Sequence, residues 1–149
     1  MVQGLGDMNF SLTLAAMGSA LGTGVAGMAA IGAWKKAFAQ NKTAPFLLVA
    51  FVGAPLTQTF YGFLLRNKIQ EAGFAIDMSS YVFGIIIGCL AGIAMGLSAY
   101  MQGKAAARAC DALAETGKGF ANYMLVLGII ETVALFVMFF CMLALPQAG

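Results

Sequence analysis

Four long apolar stretches, separated by three polar breaks, dominate this sequence. They run approximately over Phe10–Ala37, Pro45–Leu65, Tyr81–Ala107 and Phe120–Leu145. A helix needs about 20 apolar residues to cross a membrane, and each stretch is long enough. With 61% hydrophobic and 9% charged residues, a chain of 149 residues has more apolar surface than a soluble core can bury. We therefore predict an all-α membrane protein with four transmembrane helices in one membrane domain, residues 1–149.

The distribution of basic residues predicts the orientation, because Lys and Arg near a span are retained on the cytoplasmic side. The first and third breaks have Lys35, Lys36, Lys42, Lys104, Arg108 and Lys118 beside them. The second break has Arg66 and Lys68, offset by Glu71 and Asp77. We expect the loops near 40–43 and 110–119 to be cytoplasmic and both termini to be extracytoplasmic. Because Met1–Phe10 has no basic residue, we read it as the mature N-terminus and not as a signal peptide.

The chain also looks duplicated, as two tandem antiparallel hairpins over 10–65 and 78–145. Small residues recur every fourth position in the first helix of each hairpin: Gly18, Gly22, Ala26 and Ala30, then Gly84, Gly88, Gly92 and Gly96. Four-residue spacing places each row on one helix face, where neighbouring backbones can approach closely. We expect these two helices to pack tightly and the bulkier second and fourth helices to face lipid. Such packing suits a ring of many copies or a dimer.

Composition excludes several classes of function. The formal net charge of +2 comes from scattered residues with no basic block, so nucleic-acid binding is unsupported. Histidine is absent. Cys89, Cys110 and Cys141 lie far apart without CxxC spacing, so we interpret them as buried thiols and not as transition-metal ligands.

Glu131 is the only carboxylate inside a long apolar stretch, near the middle of the fourth. An ionised carboxylate at that depth costs about 3 kcal/mol on insertion scales, so it is expected to be paired, protonated or bound to a cation. A permanently protonated Glu that hydrogen-bonds another helix is the structural alternative. Glu131 is therefore the residue on which we expect function to depend.

Residues at similar depth supply candidate partners for this carboxylate. In the second stretch, Thr57 lies four residues before Tyr61 and Gln58 lies three residues before it. The three side chains therefore share one helix face. In the third stretch, Gln102 is as far from a turn at Thr116-Gly117 as Glu131 is, so the two should lie side by side.

This cluster contains oxygen donors and a single negative charge. That combination suits a hard monovalent cation, whereas a divalent ion normally attracts more carboxylates. The other interpretation is a site that takes up only protons, in a cluster of hydrogen-bonded polar side chains that holds the helices together. Pro55 lies one turn before the cluster and removes a hydrogen bond to Phe51, so we predict a local kink that can turn a backbone carbonyl toward the site.

Three stretches carry a resemblance that covers essentially the whole chain: Pro-Leu-Thr-Gln-Thr-Phe-Tyr-Gly-Phe at 55–63, Gln-Gly-Lys-Ala-Ala-Ala at 102–107 and Ile-Glu-Thr at 130–132. Together they resemble the proteolipid of the V/A-type rotary ATPases, which builds the c-ring, in its sodium-binding bacterial form. The family often has Gly after the proline, where this chain has Leu56.

The resemblance implies a role for each site residue. Glu131 is the expected ion-carrying carboxylate, and Thr57, Gln58 and Gln102 are expected to supply side-chain oxygens to Na⁺. Tyr61 matches the tyrosine that closes the site on the glutamate, and Ala54 matches a residue whose backbone carbonyl is a ligand.

The resemblance also implies a rotor ring of identical protomers, which is not an enzyme by itself. Its expected partners are a stator protein with an essential arginine, central-stalk proteins on the cytoplasmic side, and membrane lipid. The expected cargo is Na⁺, with H⁺ as the alternative. A small four-helix cation/proton antiporter, working as a dimer with an aromatic-lined cavity, is a more distant alternative. A purely structural tetraspan would leave the buried Glu131 unexplained.

Overall fold

A computed structural model describes residues 6–72 and 78–146 of the chain. All regular secondary structure in these residues is helical, and four helices are long and apolar enough to cross a membrane: α1 (Phe10–Ala39), α2 (Leu48–Glu71), α3 (Met78–Thr116) and α4 (Phe120–Leu143). The predicted all-α four-helix class is therefore confirmed. Residues 1–5, 73–77 and 147–149 lie outside the described residues, and with them Asp77 of the predicted second break.

Helix α3 continues well beyond the predicted apolar stretch, so most of the predicted third break, 110–119, is helical and not a loop. Residues 104–116 contain six alanines together with one Lys, one Arg, one Leu and one Glu, all of which are strong helix formers. This segment buries Ala106, Cys110 and Leu113 and exposes its charged side chains. The helix ends at Thr116; the next residue, Gly117, has φ 66, and its N–H donates to the Leu113 carbonyl at 2.8 Å.

Helices α1 and α3 make the most extensive contact in the molecule. A Cβ added to Gly18 would lie 2.0 Å from the Gly96 oxygen, and one added to Gly103 would lie 2.2 Å from Gly22 Cα. A Cβ added to Gly88 would meet the Asp7 side chain, and one added to Gly92 would lie 2.7 Å from the Phe10 carbonyl oxygen. Gly84, the remaining predicted packing glycine, is buried. The small-residue rows thus form the seam between these two helices.

Helices α2 and α4 pack against this central pair and leave their outer faces exposed. Within the most apolar 18-residue window of each helix, 11% of α4 is buried, against 44% of α3. The exposed side chains of α4 are large and apolar, including Leu125, Ile129 and Phe136. An exposed surface of this composition is suited to lipid or to neighbouring apolar helices.

Apart from Glu131, the charged residues that the structure describes lie in two groups at opposite ends of the bundle. At one end, Lys36 pairs with Glu115 at 3.6 Å. A cleft of about 440 Å³ lies at this end between α1, the first loop and α3. The charged residues that line it are Lys36, Lys42, Asp111 and Glu115. At the other end, Arg66 Nε donates to Asn9 Oδ1 at 2.7 Å, and Lys68 pairs with Glu71 at 2.6 Å. The end rich in basic residues is the one for which we expect a cytoplasmic location.

Candidate ion-binding site

The polar residues of α2 follow a local change in helix type. Leu48–Gly53 is α-helical, Ala54–Leu56 forms a 3₁₀ turn, and the α-helix resumes over Thr57–Glu71. Pro55 has no N–H to donate to the Phe51 carbonyl, so the regular α-helical ladder is interrupted there. Thr57 Oγ1 lies 3.2 Å from the Ala54 carbonyl oxygen and 3.2 Å from Gln58 Oε1, and it can donate to one of them at a time. The turn therefore brings a backbone carbonyl beside two polar side chains.

Each carboxylate oxygen of Glu131 accepts a hydrogen bond from another helix. The Tyr61 hydroxyl of α2 donates to Oε1 at 2.6 Å, and Gln102 Nε2 of α3 donates to Oε2 at 3.3 Å. An amide nitrogen can only donate, so Glu131 Oε2 is the acceptor in its contact with Gln102. The predicted adjacency of Gln102 and Glu131 is present in the structure.

The Leu127 carbonyl determines which way the Gln102 carboxamide is turned in this structure. Its nitrogen also donates to the Leu127 carbonyl at 2.9 Å, and turning the amide over would place two acceptor oxygens against each other. Gln102 Oε1 therefore faces α2, where it accepts a hydrogen bond from Gln58 Nε2 at 2.8 Å. Thr57, Gln58, Gln102 and Glu131 thus form one continuous polar chain across three helices.

Burial separates the two amides from the rest of the cluster. Gln58 and Gln102 are 0% exposed, whereas Thr57, Tyr61 and Glu131 are half-buried. Fully buried amides are screened from solvent, so their interactions with a charge are strong. The carboxylate lies between this buried interior and the outer surface of the bundle.

Ser98 is a residue of this region that sequence reasoning missed. Its hydroxyl donates to the Ile130 carbonyl at 2.9 Å, one turn along α3 from the Gln102 bond to Leu127. Two side chains of α3 thus hold the backbone of α4 in the turn that precedes Glu131. The i,i+4 spacing of Ser98 and Gln102 is the signal that could have revealed it.

Asp7 is a second buried carboxylate, which sequence reasoning also missed. It is 1% exposed and accepts hydrogen bonds from the N–H groups of Asn9 and Ser11 at 2.9 and 2.8 Å and from the Ser11 hydroxyl. These donors satisfy it, and it acts as a cap for the start of α1. An Asp shortly before a long apolar run is the pattern that could have indicated this role.

The donor set determines which cations the cluster can hold. It contains one carboxylate, two amide oxygens, one hydroxyl and the Ala54 carbonyl, and within the described chain no group of three or more His, Cys, Asp or Glu residues could hold a metal. Oxygen donors with a single negative charge fit a hard monovalent cation such as Na⁺, which would leave the site neutral. A divalent cation would leave it positively charged.

The fold and the site define a class of protein: a small, multi-pass, four-helix membrane protein that holds one carboxylate among amides and hydroxyls within the bundle. Residues 78–144, which include α3 and α4 with Gln102 and Glu131, match the family model that describes the C subunit of ATP synthase. The match covers the second hairpin, 67 of the 149 residues, and shows that α3 and α4 are similar to that family. No curated protein and no solved structure matches the chain.

Replacing Tyr61 by Phe removes the hydroxyl that donates to Glu131 and leaves the ring in place. A hydrogen bond to a charged group is worth about 1.5–3 kcal/mol, so we expect affinity for the bound cation to fall at least about tenfold. Cation affinity of the purified assembly measures this effect. Tyr123→Phe is the matched control, because Tyr123 packs edge-on against Phe51 and not against Glu131. An equal loss in both variants would show that the Tyr61 bond has no special part in ion binding.

Proposed function

We propose that this protein is the rotor-ring proteolipid of the membrane sector of a V/A-type rotary ATPase, and that each copy carries one Na⁺ at Glu131. The observation that carries the proposal is the convergence of α2, α3 and α4 on this carboxylate, through Tyr61 and Gln102. The family match of the second hairpin supports the rotor role. The 55–63 motif of the first hairpin, which includes Thr57 and Gln58, extends the resemblance to the sodium-binding V/A type.

The number of oxygen donors favours Na⁺ over H⁺ as the cargo. A proton on Glu131 needs one acceptor, whereas the site brings a second amide, a hydroxyl and a carbonyl to the same depth. A small cation uses several oxygen ligands to replace its lost water. When Gln102 Oε1 and Gln58 Oε1 turn to such a cation, the hydrogen bond between the two amides is broken. Glu131, Gln102, Gln58, Thr57 and Ala54 are the proposed ligands, and Tyr61 holds the carboxylate.

Rotation follows from the difference between two environments of the site. Where α4 faces lipid, a bare carboxylate is costly, so the cation stays bound. Where it faces the stator, a fixed arginine of that partner neutralises Glu131 and releases the cation to a half-channel. Movement of the ring is then coupled to ion passage. Each charge contributes about 2.3 kcal/mol per 100 mV of membrane potential, so several ions accompany each ATP.

One carboxylate for four helices favours a pump over a synthase. A ring built of such protomers carries half as many ions per helix as one with a carboxylate in each hairpin, so each ion receives more of the energy of ATP hydrolysis. The number of ions transported per ATP, compared with the number of protomers in the ring, tests this role. We propose that the central stalk binds on the cytoplasmic side, at the end of the bundle that carries the loop at 40–43.

Carbodiimide labelling of the purified assembly tests the assignment of the ion. This hydrophobic reagent modifies carboxyl groups, and we expect it to modify Glu131. Sodium should slow the labelling, and it should protect more strongly as the pH rises, because protons then compete less for the carboxylate. Choline chloride at equal ionic strength is the control. Labelling that sodium does not slow would contradict Na⁺ binding and would favour proton transport.

The mass of the particle in mild detergent separates the rotor from the antiporter. A ring of many 15.5 kDa protomers is far larger than a dimer. A dimeric particle would contradict the rotor assignment.

A further inference from the structure

Ser19 of α1 carries a buried hydroxyl without a partner. The side chain is 1% exposed, and among the residues that the structure describes its Oγ is the one buried side-chain nitrogen or oxygen without a hydrogen bond. Burying an unpaired polar group is unfavourable, and alanine occupies equivalent packed positions of the same helix at Ala15, Ala26 and Ala30. A serine here therefore calls for a partner in some state of the protein.

The contacts of α1 with α2 place Ser19 opposite Gln58. A Cβ on Gly22 would lie 2.9 Å from Pro55 Cβ, and a Cβ on Gly62 would lie 2.9 Å from Ala15 Cβ. The two helices are antiparallel, so the residues between these contacts face each other. Ser19 precedes Gly22 by three residues, and Gln58 follows Pro55 by three. At 1.5 Å of rise per residue, the two side chains are at the same depth and on the facing sides of their helices.

Gln58 loses an acceptor when the site is filled. In the structure its nitrogen donates to Gln102 Oε1. Under the proposed function, on which this inference rests, Gln102 Oε1 turns to the cation, and the Gln58 amide is left with a buried donor that needs another acceptor. A serine hydroxyl can accept through its oxygen while it donates along its own helix.

We propose that Ser19 is a positioning residue of the ion site: its hydroxyl accepts a hydrogen bond from the Gln58 amide when Gln102 turns to the bound cation. This contact brings α1 into the site, which then includes all four helices. It orients Gln58 Oε1 toward the cation, so the affinity for the cation depends on a side chain that does not touch it.

Ser19→Ala tests this role, with Ser11→Ala as the matched control on the same helix. Ser11 is equally buried, but its hydroxyl already bonds Asp7 and lies 3.3 Å from the Gly62 carbonyl. The two measurements are the sodium concentration that gives half-protection of Glu131 from carbodiimide and the thermal stability of the assembly. We expect Ser19→Ala to raise the half-protecting sodium concentration about fivefold, the size of one hydrogen bond, with stability unchanged or higher. Ser11→Ala should lower stability and leave that concentration unchanged.

The outcomes separate this inference from the proposed function. If sodium protects the parent protein and Ser19→Ala is protected at the same concentration, Ser19 has no part in the site and the sodium assignment stands. If sodium does not protect the parent, the sodium assignment in the proposed function is contradicted, and the inference about Ser19 falls with it. If Ser19→Ala lowers stability without a change in half-protection, the hydroxyl is a packing group and the inference is overturned. Should Ser19→Ala assemble poorly, Ser19→Gly replaces it with the same expected shift.

Discussion

Glu131→Gln is expected to abolish sodium transport while the ring still assembles. Glutamine keeps the size of the side chain and an oxygen that accepts the Tyr61 hydrogen bond, but it removes the only negative charge of the site. Removing one partner of a buried charge pair costs about 3–5 kcal/mol, which is at least about a 100-fold loss of cation affinity. ATP-driven uptake of radioactive sodium into vesicles, with the variant in the complete ATPase, measures the effect.

Glu115→Gln is the control for Glu131→Gln. Glu115 is an exposed carboxylate near the end of α3 that pairs with Lys36, and an exposed pair of this kind contributes little to stability. This variant should transport sodium at the parental rate. Sodium transport that survives in Glu131→Gln would contradict the account of the site.

Gly18→Ala is expected to have the largest effect on assembly. The added Cβ would lie 2.0 Å from the Gly96 oxygen and 2.3 Å from Gly96 Cα. Both are backbone atoms, which cannot turn aside as a flexible side chain does, so α1 and α3 must separate. We expect a loss of about 3 kcal/mol or more, the upper range for overpacking. The yield and thermal stability of the detergent-purified assembly provide the measurement.

Gly32→Ala is the matched control for Gly18→Ala, since it makes the same change on the same helix where no atom lies within 4 Å of the added Cβ. Alanine is the better helix former by about 1 kcal/mol, so stability should stay the same or rise slightly. Equal losses at both positions would show that the effect of Gly18→Ala does not come from the contact between α1 and α3.

The sequence predicted much of the fold because lipid imposes a simple rule on it. Each span needs a long apolar run, and such runs are visible without an alignment. The ends of the helices were less predictable. The charged segment after Ala107 looked like a loop, because polarity was weighed above the helix propensity of its many alanines; the structure keeps it helical to Thr116.

For the site, depth could be predicted from the sequence and direction could not. Counting from the turn placed Gln102 beside Glu131, and i,i+3 spacing grouped Gln58 with Tyr61. Which atom of each amide faces which helix depends on the Leu127 carbonyl, and such backbone geometry has no signature in the sequence. Ser19 was missed for the related reason that one serine in a row of small residues looks like a packing residue.

Equilibrium binding of radioactive sodium to the purified assembly tests the central claim most directly. The account predicts one sodium ion for each 149-residue chain, a loss of that binding in Glu131→Gln, and no loss in Glu115→Gln. An assembly that binds no sodium, or one that binds as much sodium after Glu131→Gln, would contradict it.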